Sequence, residues 1–211
     1  TSVLYARHRR PTVVDTLHAQ IRSHGPSVLY LDHLDSLVYA ASTGSIPVIV
    51  DMHNVYSRLA ARVAMESGVI RRRYLEREST LLEKMERHAV GVAHTVLAVS
   101  DQEADYFRSL GARRVVVVPN GVDCSVFNRL PAARRQGPPT ILFVGALSWA
   151  PNASAARFLA TQVMPAVRRQ MPEARLVIVG RDPAPDIVAL AQSGSNIEVK
   201  ANVPDVMPYY E

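Results

Sequence analysis

The chain contains little that would place it outside a reducing compartment. It has a single cysteine, Cys124, among its 211 residues, so no internal disulfide can form. No apolar run approaches the roughly 20 residues needed to span a bilayer. The first residues, TSVLYARHRRP, hold too short an apolar stretch before their charges for a signal peptide. We therefore expect a cytoplasmic protein, with a peripheral position at the inner membrane face left open.

The sequence also lacks the short motifs that mark several enzyme classes. It has no GxxxxGK[ST], GxGxxG, HExxH, CxxC or GxSxG. Its seven histidines show no spacing typical of a zinc site, and Cys124 has no neighbouring cysteine or histidine. We therefore expect no metal and no cofactor, and the pattern gives no support to a nucleophilic serine.

Positive charge is modest and scattered. The formal net charge is +5, and the arginine clusters are short and far apart along the chain. A nucleic-acid-binding protein would concentrate such charge and mix aromatic residues into it, so we expect no nucleic-acid partner. Only the segment 69–75, VIRRRYL, combines arginines and apolar residues closely enough to suggest a membrane surface. A solvated start of a helix is the alternative for this segment.

Short apolar runs alternate with longer helical patterns, which is typical of βαβ units with a parallel sheet. The predicted strands are Ser27–Asp32, Pro47–Asp51, Thr95–Ser100, Arg114–Pro119, Thr140–Gly145, Arg175–Gly180 and Ile197–Lys200. Helices are predicted at about 72–93, from Asp101 to Gly111, at about 152–171 and from Asp186 to Ser193. In the first of these helices an apolar stripe should face the core, with Glu78 and Glu86 among the residues of a solvated face.

A stretch without periodicity and rich in proline, 131–139, separates two halves with the same α/β pattern. We predict an α/β fold of two Rossmann-like, doubly wound domains with parallel sheets. The N-terminal, acceptor-side domain is 1–130, the linker is 131–139, and the donor-side domain is 140–211. Ligands of such sheets bind beyond the carboxyl ends of the strands, and two units place a cleft between them.

Two places after predicted strands of the first half are candidates for chemistry. His53 follows the second strand, where a side chain that titrates near neutrality could meet a ligand. A loop histidine bonded to backbone is the alternative. Asn120-Gly121 follows the fourth strand and is a strong turn signal, because both residues tolerate positive φ. That turn is either structural or brings backbone N–H groups to the cleft.

The first strand of the second half leads into a candidate phosphate loop. Gly145 lets a ligand approach the backbone, and Asn152 is predicted to cap the following helix, whose free N–H groups favour phosphate. Ordinary packing of strand, turn and helix is the alternative. The polar residues Asp32, His33 and Asp35, after the first strand of the chain, are predicted to form a turn.

Five stretches carry a resemblance to a known family, in this order: PVIVDMHN, VLAVSDQEADYF, VVVVPNGVD, PTILFVGALSW and PEARLVIVGRDP. With them the chain resembles GT-B glycosyltransferases of family 4. The resemblance extends from about Ser27 to Glu211. It is most specific in the PNGVD turn followed by strands that end in Val-Gly. The stretch from Gly145 to Arg181 is most similar to bacterial members associated with exopolysaccharide assembly.

This resemblance implies retaining transfer of a sugar from a nucleotide diphosphosugar to a glycan or lipid-linked acceptor, without a required metal. It implies that His53 is the catalytic residue facing the donor sugar, with Asn54 on the acceptor side. The positions that match donor-binding residues of the family are Asn120, Gly121, Gly145, Ala146, Ser148, Asn152, Gly180, Arg181 and Val203.

The chain departs from the family pattern at the donor diphosphate. Many members carry an arginine and a lysine there, where this chain has Ala146 and Asn152. Backbone amides and a helix dipole would then have to compensate more of the negative charge of the donor diphosphate than in members that carry the arginine and lysine. The family's first strand should precede Thr1 and its Glu-x7-Glu should follow Glu211. We therefore expect the chain alone to be inactive and the activity to belong to a longer protein.

Two other functions stay open at this point. One is a non-catalytic binding or scaffold module in polysaccharide assembly, for which the missing arginine and lysine argue. The other is a sugar-nucleotide epimerase on the same fold. That chemistry needs acid and base carboxylates in the cleft, and the sequence alone places none there.

Overall fold

The computed structural model describes residue 2 and residues 10–42, 44–65, 67–125, 137–192 and 196–210. The chain divides into two compact units, Thr1–Gly121 and Val122–Glu211. The predicted domain boundary at residue 130 and most of the predicted linker lie outside the described residues, so both stay predictions. Among the described residues, no helix has the length and apolar character needed to cross a membrane.

The first unit contains a parallel sheet, as predicted. Its strands are β1 Leu29–Asp32, β2 Val48–Met52, β3 Thr95–Ala98 and β4 Val115–Val117, which pair in the order β1-β2-β3-β4. The register pairs Asp32 with Asp51, so β1 and β2 end side by side. Because all four strands are parallel, their carboxyl ends share one edge, and the residues after them are brought together there.

Helices flank this sheet in the first unit. They are α1 Pro11–His24, a 3₁₀ helix Leu34–Ser42, α2 Tyr56–Met65, α3 Val69–Val92 and α4 Asp101–Ser109. The sequence did not lead us to predict α1, although proline opens it and Gly25 ends it with φ of 54°. A three-residue connection joins α2 to α3, which pack against each other as an antiparallel hairpin.

The prediction that the polar side of α3 is entirely solvated is wrong. Glu78 and Glu86 are buried, and Glu86 faces Ser57 of α2 and Tyr106 of α4. Glu86 accepts hydrogen bonds from the Ser57 backbone N–H at 2.9 Å, the Ser57 hydroxyl at 2.6 Å and the Tyr106 hydroxyl at 2.7 Å. The Ser2 hydroxyl donates to Glu78 at 2.7 Å. Burial of Glu86 is therefore compensated by donors from two other helices, whereas Glu78 Oε1 has no hydrogen-bond partner among the described residues.

The second unit contains the predicted three parallel strands, β5 Thr140–Val144, β6 Arg175–Gly180 and β7 Ile197–Ala201, paired in that order. Its helical segments are α5 Ala150–Phe158, a π turn Leu159–Val163, α6 Met164–Arg168, α7 Pro185–Ala189, a 3₁₀ turn Leu190–Gln192 and α8 Met207–Tyr210. The buried cluster of this unit is apolar, with Leu176, Ile178, Met164 and Ile187 among its members.

A π turn interrupts the helix that was predicted to run unbroken from about 152 to 171. The Met164 N–H bonds to the Leu159 carbonyl, five residues back. Pro165 follows immediately and has no N–H to continue the ordinary ladder, which gives a physical reason for the altered turn. Ala160 within this turn and Met164 directly after it are both buried in the core.

Candidate functional site

His53 is the first residue after β2, and two carboxylates of the sheet edge hold its ring. Its Nε2 atom lies 3.0 Å from Asp32 Oδ1 and 3.5 Å from Asp51 Oδ2. An ionised carboxylate can only accept hydrogen bonds, so Nε2 donates to Asp32. In the neutral ring this leaves Nδ1 as an acceptor. The His53 side chain is 32% exposed, so the ring is both anchored and open to a ligand.

His33 contacts the same carboxylate from the other side. Its Nδ1 lies 2.8 Å from Asp32 Oδ1, and its ring stacks on that of His53 with centroids 4.2 Å apart. The His33 backbone is left-handed, with φ of 64°, which is unfavourable for a residue other than glycine. Its N–H donates to the Asp51 carbonyl at 3.1 Å, which fixes this conformation. The predicted turn exists, but it also supports His53.

Asp51 is the less exposed of the two carboxylates, at 15%. Tyr30, on the neighbouring strand β1, donates its hydroxyl proton to Asp51 Oδ2. This hydrogen bond, together with burial and the charges of Asp51 and Asp32, raises the pKa of Tyr30 to about 12. The tyrosine therefore stays protonated and keeps one lone pair of Asp51 occupied.

The two histidines act on the ionisation of Asp32. Its pKa lies below the ordinary value of 3.8, mainly because His53 donates a hydrogen bond to the carboxylate. Desolvation opposes this effect, and the hydrogen bond from His33 adds to it. Their charges, when the rings are protonated, work in the same direction. The carboxylate is thus held ionised at neutral pH, as an orienting acceptor for both rings.

A third carboxylate, Glu103 in the first turn of α4, lies near His53. Burial raises its pKa, against the backbone N–H groups of Val55 and Val99 and the charges of Arg58 and His53. Within the described residues, its Oε2 atom is buried without a hydrogen-bond partner. Glu103 is therefore a carboxylate in an environment that disfavours its charge, near the candidate catalytic ring.

Asp32, His33 and His53 also form the one group of possible metal ligands in the described part of the chain. Their ligand atoms all lie within 4.8 Å of one another. Imidazole nitrogens and a carboxylate oxygen are suitable ligands for zinc and similar ions. A cation would have to replace the two hydrogen bonds that now meet at Asp32 Oδ1. The three side chains can therefore either bond to one another or bind a metal, but not both at once.

In the second unit, the edge at the carboxyl ends of the strands is built from backbone. A Cβ atom added at Gly180 would lie 1.9 Å from the carbonyl oxygen of Gly145 and 2.8 Å from Leu147 Cγ. The Leu147 N–H donates to the Arg181 carbonyl at 2.9 Å. Gly180 therefore has no room for a side chain, and the loops after β5 and β6 approach closely there. A Cβ atom at Gly145 would meet the Asn152 side-chain amide at 2.8 Å.

Asn152 does not cap the following helix, contrary to the prediction. The cap is Trp149, and α5 begins at Ala150 with Pro151 in its first turn, which makes Asn152 the third helical residue. Proline favours such an early position, because its missing N–H would be unbonded there in any case. The Asn152 side chain donates instead to the Ala146 carbonyl at 3.1 Å and so fixes the loop before the helix.

The predicted tight turn at Asn120-Gly121 is also wrong. Neither residue has positive φ, and both are exposed in an irregular segment after β4. The backbone just before them is bonded to β3, since the Val118 N–H donates to the Ala98 carbonyl at 2.8 Å. Asn120 and Gly121 thus follow a strand as expected, but not in the conformation expected.

The remaining site residues follow their strands as predicted and fall into two sets. Asn54 adjoins His53 in the first unit. The second unit brings together Gly145, Ala146, Ser148, Gly180 and Arg181, with Val203 half-buried just after β7. The roles assigned to these residues stay predictions.

Sequence reasoning missed Asp32, His33, Asp51, Tyr30 and Glu103 as members of the site. A usable signal was the pattern Asp-His and Asp-Met-His at the ends of consecutive predicted strands. Pairing those two strands in parallel would have placed the Asp-His and Asp-Met-His side chains at the same edge of the sheet.

Two α/β units in tandem, each with a parallel sheet and with candidate side chains beyond the strand ends, form the architecture of the GT-B fold. Comparison with known families agrees. Residues 2–126 match the family described as Glycosyltransferase Family 4, and residues 138–211 match Glycosyl transferases group 1. The chain belongs to glycosyltransferase family 4.

Solved structures show the same fold at low sequence identity. A UDP-forming alpha,alpha-trehalose-phosphate synthase from Burkholderia xenovorans is 12% identical with a TM-score of 0.52, covering 92% of this chain and 53% of its own. OtsA in an apo structure is 13% identical with a TM-score of 0.55, covering 92% and 52%. MnaA of S. aureus, solved with UDP, is 13% identical with a TM-score of 0.50, covering 94% and 52%.

The chain thus spans about half the length of the solved structures it matches. A search of curated protein sequences found no match.

Proposed function

We propose that the protein takes part in retaining transfer of a sugar from a nucleotide diphosphosugar to a glycan or lipid-linked acceptor. The observation that carries this proposal is the His53 ring, held by Asp32 at 3.0 Å at the edge of the sheet where ligands of such folds bind. Membership of glycosyltransferase family 4 supports the reaction class.

His53 acts on the donor sugar or on its leaving phosphate. With Nε2 donating to Asp32, Nδ1 accepts from a sugar hydroxyl when the ring is neutral, and donates to a phosphate oxygen when the ring is protonated. Asp32 orients the ring, so that a proton on Nδ1 places positive charge where negative charge develops on the departing diphosphate. The neighbouring Asn54 contacts the acceptor.

The second unit binds the donor through backbone. The N–H groups around Gly145–Ser148 and the Arg181 side chain, which follows β6 directly, face the diphosphate and the base. Close packing of Gly145 against Gly180 supports a fixed loop rather than one that is ordered by the ligand. Preorganised donors of this kind need no reorganisation during the reaction.

We propose that transfer needs no metal and no cofactor. Nucleotide-sugar turnover by the full-length protein, followed by NMR of the product anomer with and without EDTA, tests this together with the reaction class. Retained anomeric configuration at an unchanged rate is expected. Inverted product would contradict the retaining mechanism. Complete loss of activity in EDTA would contradict metal independence and would direct attention to Asp32, His33 and His53.

A sugar-nucleotide epimerase is the second candidate, because Asp32, Asp51 and Glu103 supply carboxylates at the same edge. Deuterium from solvent appearing in the sugar of the donor, without any acceptor present, would favour it over transfer. Absence of both donor binding and turnover would leave the scaffold hypothesis.

A further inference from the structure

The tip of the α2–α3 hairpin exposes four large apolar side chains. Met65 and Val69 are 72% exposed, Ile70 is 89% exposed and Tyr74 is 46% exposed. Single exposed apolar residues are common on protein surfaces, but four at one end of a hairpin form a patch. We call this patch, together with the arginines at 71, 72 and 73, the hairpin tip.

Arginines surround the apolar side chains of the hairpin tip. Residues 56–77 contain six arginines and two glutamates. Arg72 pairs with Glu76 at 2.8 Å, whereas Arg71 and Arg73 are exposed and form no ion pair with any described residue. The tip therefore combines a net positive charge with apolar groups that contact solvent.

The hairpin tip projects past the edge of the sheet that carries His53. Helix α2 begins four residues after β2 ends, at the carboxyl edge, and α3 ends three residues before β3, at the amino edge. The Ser79 hydroxyl donates to the Ser57 carbonyl at 2.9 Å, so the start of α2 lies beside the middle of α3. From Ser79 back to Val69, α3 extends about 15 Å further in the same direction.

We propose that the hairpin tip docks on the surface of a membrane that contains anionic phospholipids. The argument is charge complementarity, because guanidinium groups bind lipid phosphates while the adjoining apolar side chains enter the boundary with the acyl chains. A second copy of the chain is a poorer partner, since two tips of the same charge repel each other. The proposal deepens the proposed function, on which it rests, by making the acceptor lipid-linked and bringing it to the His53 edge.

Vesicle sedimentation tests the docking without donor or acceptor. The chain should bind phosphatidylcholine vesicles that contain phosphatidylglycerol and should not bind vesicles of phosphatidylcholine alone. The double variant Arg71→Gln/Arg73→Gln should bind roughly 20 to 30 times more weakly. The double variant Val69→Ser/Ile70→Ser should bind at least about ten times more weakly.

A matched control is available at Arg113 and Arg114, two exposed arginines that precede β4 at the opposite edge of the sheet. Arg113→Gln/Arg114→Gln should bind vesicles like the unsubstituted chain. Three results would overturn the proposal. They are a loss of vesicle binding in this control equal to that of the tip variants, equal binding of the unsubstituted chain to neutral and anionic vesicles, and full binding by both tip variants. A dimer, seen by analytical ultracentrifugation without vesicles, that dissociates on Val69→Ser/Ile70→Ser would also overturn it.

Failure of the docking and failure of the proposed function give different results. Calorimetry should show unchanged donor affinity in the full-length tip variants, because donor binding is proposed for the second unit and the substituted side chains belong to the first. Loss of vesicle binding with intact donor turnover on a soluble acceptor removes only the docking. Vesicle binding without any sugar transfer removes only the transferase proposal.

Discussion

The two α/β units share a parallel sheet but place different chemistry at its carboxyl edge. In the first unit, that edge carries ionisable side chains, and His53 contacts both Asp32 and Asp51. In the second unit, the loops after β5 and β6 touch through backbone, with glycine at both positions 145 and 180. Both units have an apolar core, but among the described residues only the first also buries two glutamates.

Under the proposed function, the same fold solves two different binding problems. A reacting centre benefits from side chains whose protonation and position can be tuned by neighbours. A large anionic group benefits from many weak, fixed N–H donors that carry no side-chain entropy. The following predictions test whether each unit depends on its own solution.

The largest effect should come from filling the backbone contact of the second unit. In Gly180→Ala the new methyl group would lie 1.9 Å from the Gly145 carbonyl oxygen. Because a backbone carbonyl cannot move alone, we expect a loss of about 3 kcal/mol or more in the free energy of unfolding. Urea denaturation measures this. Gly91→Ala is the control, since nothing lies within 4 Å there and a helix gains up to about 1 kcal/mol from alanine. Equal stability of the two variants would contradict the close packing.

Glu86→Ala should break the buried carboxylate network of the first unit. It leaves the Ser57 N–H, the Ser57 hydroxyl and the Tyr106 hydroxyl without their acceptor. At about 1 kcal/mol for each lost hydrogen bond, the unfolding free energy should fall by about 3 kcal/mol. Glu83→Ala on the same helix is the control. It removes only the 2.7 Å surface pair with Arg87, which is worth less than about 1 kcal/mol. A similar cost for both would show that burial of Glu86 adds nothing.

His53→Ala, made in the full-length protein, should separate catalysis from folding. An interaction made mainly in the transition state predicts a fall in kcat of ~10²-fold with little change in KM for the donor. The melting temperature should stay within a few degrees, because a ring that is partly exposed leaves no core cavity. His88→Ala, at an exposed position of α3, controls for loss of a histidine in general. Near-normal kcat with a lowered melting temperature would make His53 a structural loop residue.

Asp32→Asn should have a smaller effect through His53. Loss of the charged acceptor for Nε2 should lower kcat by about tenfold and leave the position of β1 unchanged. Stability gives a second readout. Because the folded pKa lies below 3.8, the carboxylate stabilises the fold above that value, and the contribution is lost as pH falls through the folded pKa. The difference in melting temperature between Asp32→Asn and the unsubstituted protein should therefore disappear at acid pH. A difference that does not depend on pH would argue against the hydrogen bond between Asp32 and His53.

The strands were predictable from sequence because most are short, mainly apolar runs within a parallel sheet. The contacts among Asp32, His33 and His53 were not, since they depend on the register between β1 and β2 rather than on any local pattern. The same holds for Glu86, whose burial depends on Ser57 and Tyr106 from other helices. At Asn152, two local signals competed, and Pro151 moved the start of the helix forward.

The π turn at Leu159–Val163 affects how this region could change in evolution. A bond that reaches five residues back encloses one more residue than an ordinary helical turn. A lineage could lose that residue by restoring an ordinary turn, so a change of length would be absorbed inside the helix. The strands on either side, and the loops that follow β5 and β6, could then keep their positions while the sequence between them drifts. We therefore expect relatives to differ in length here more readily than at Gly145 or Gly180.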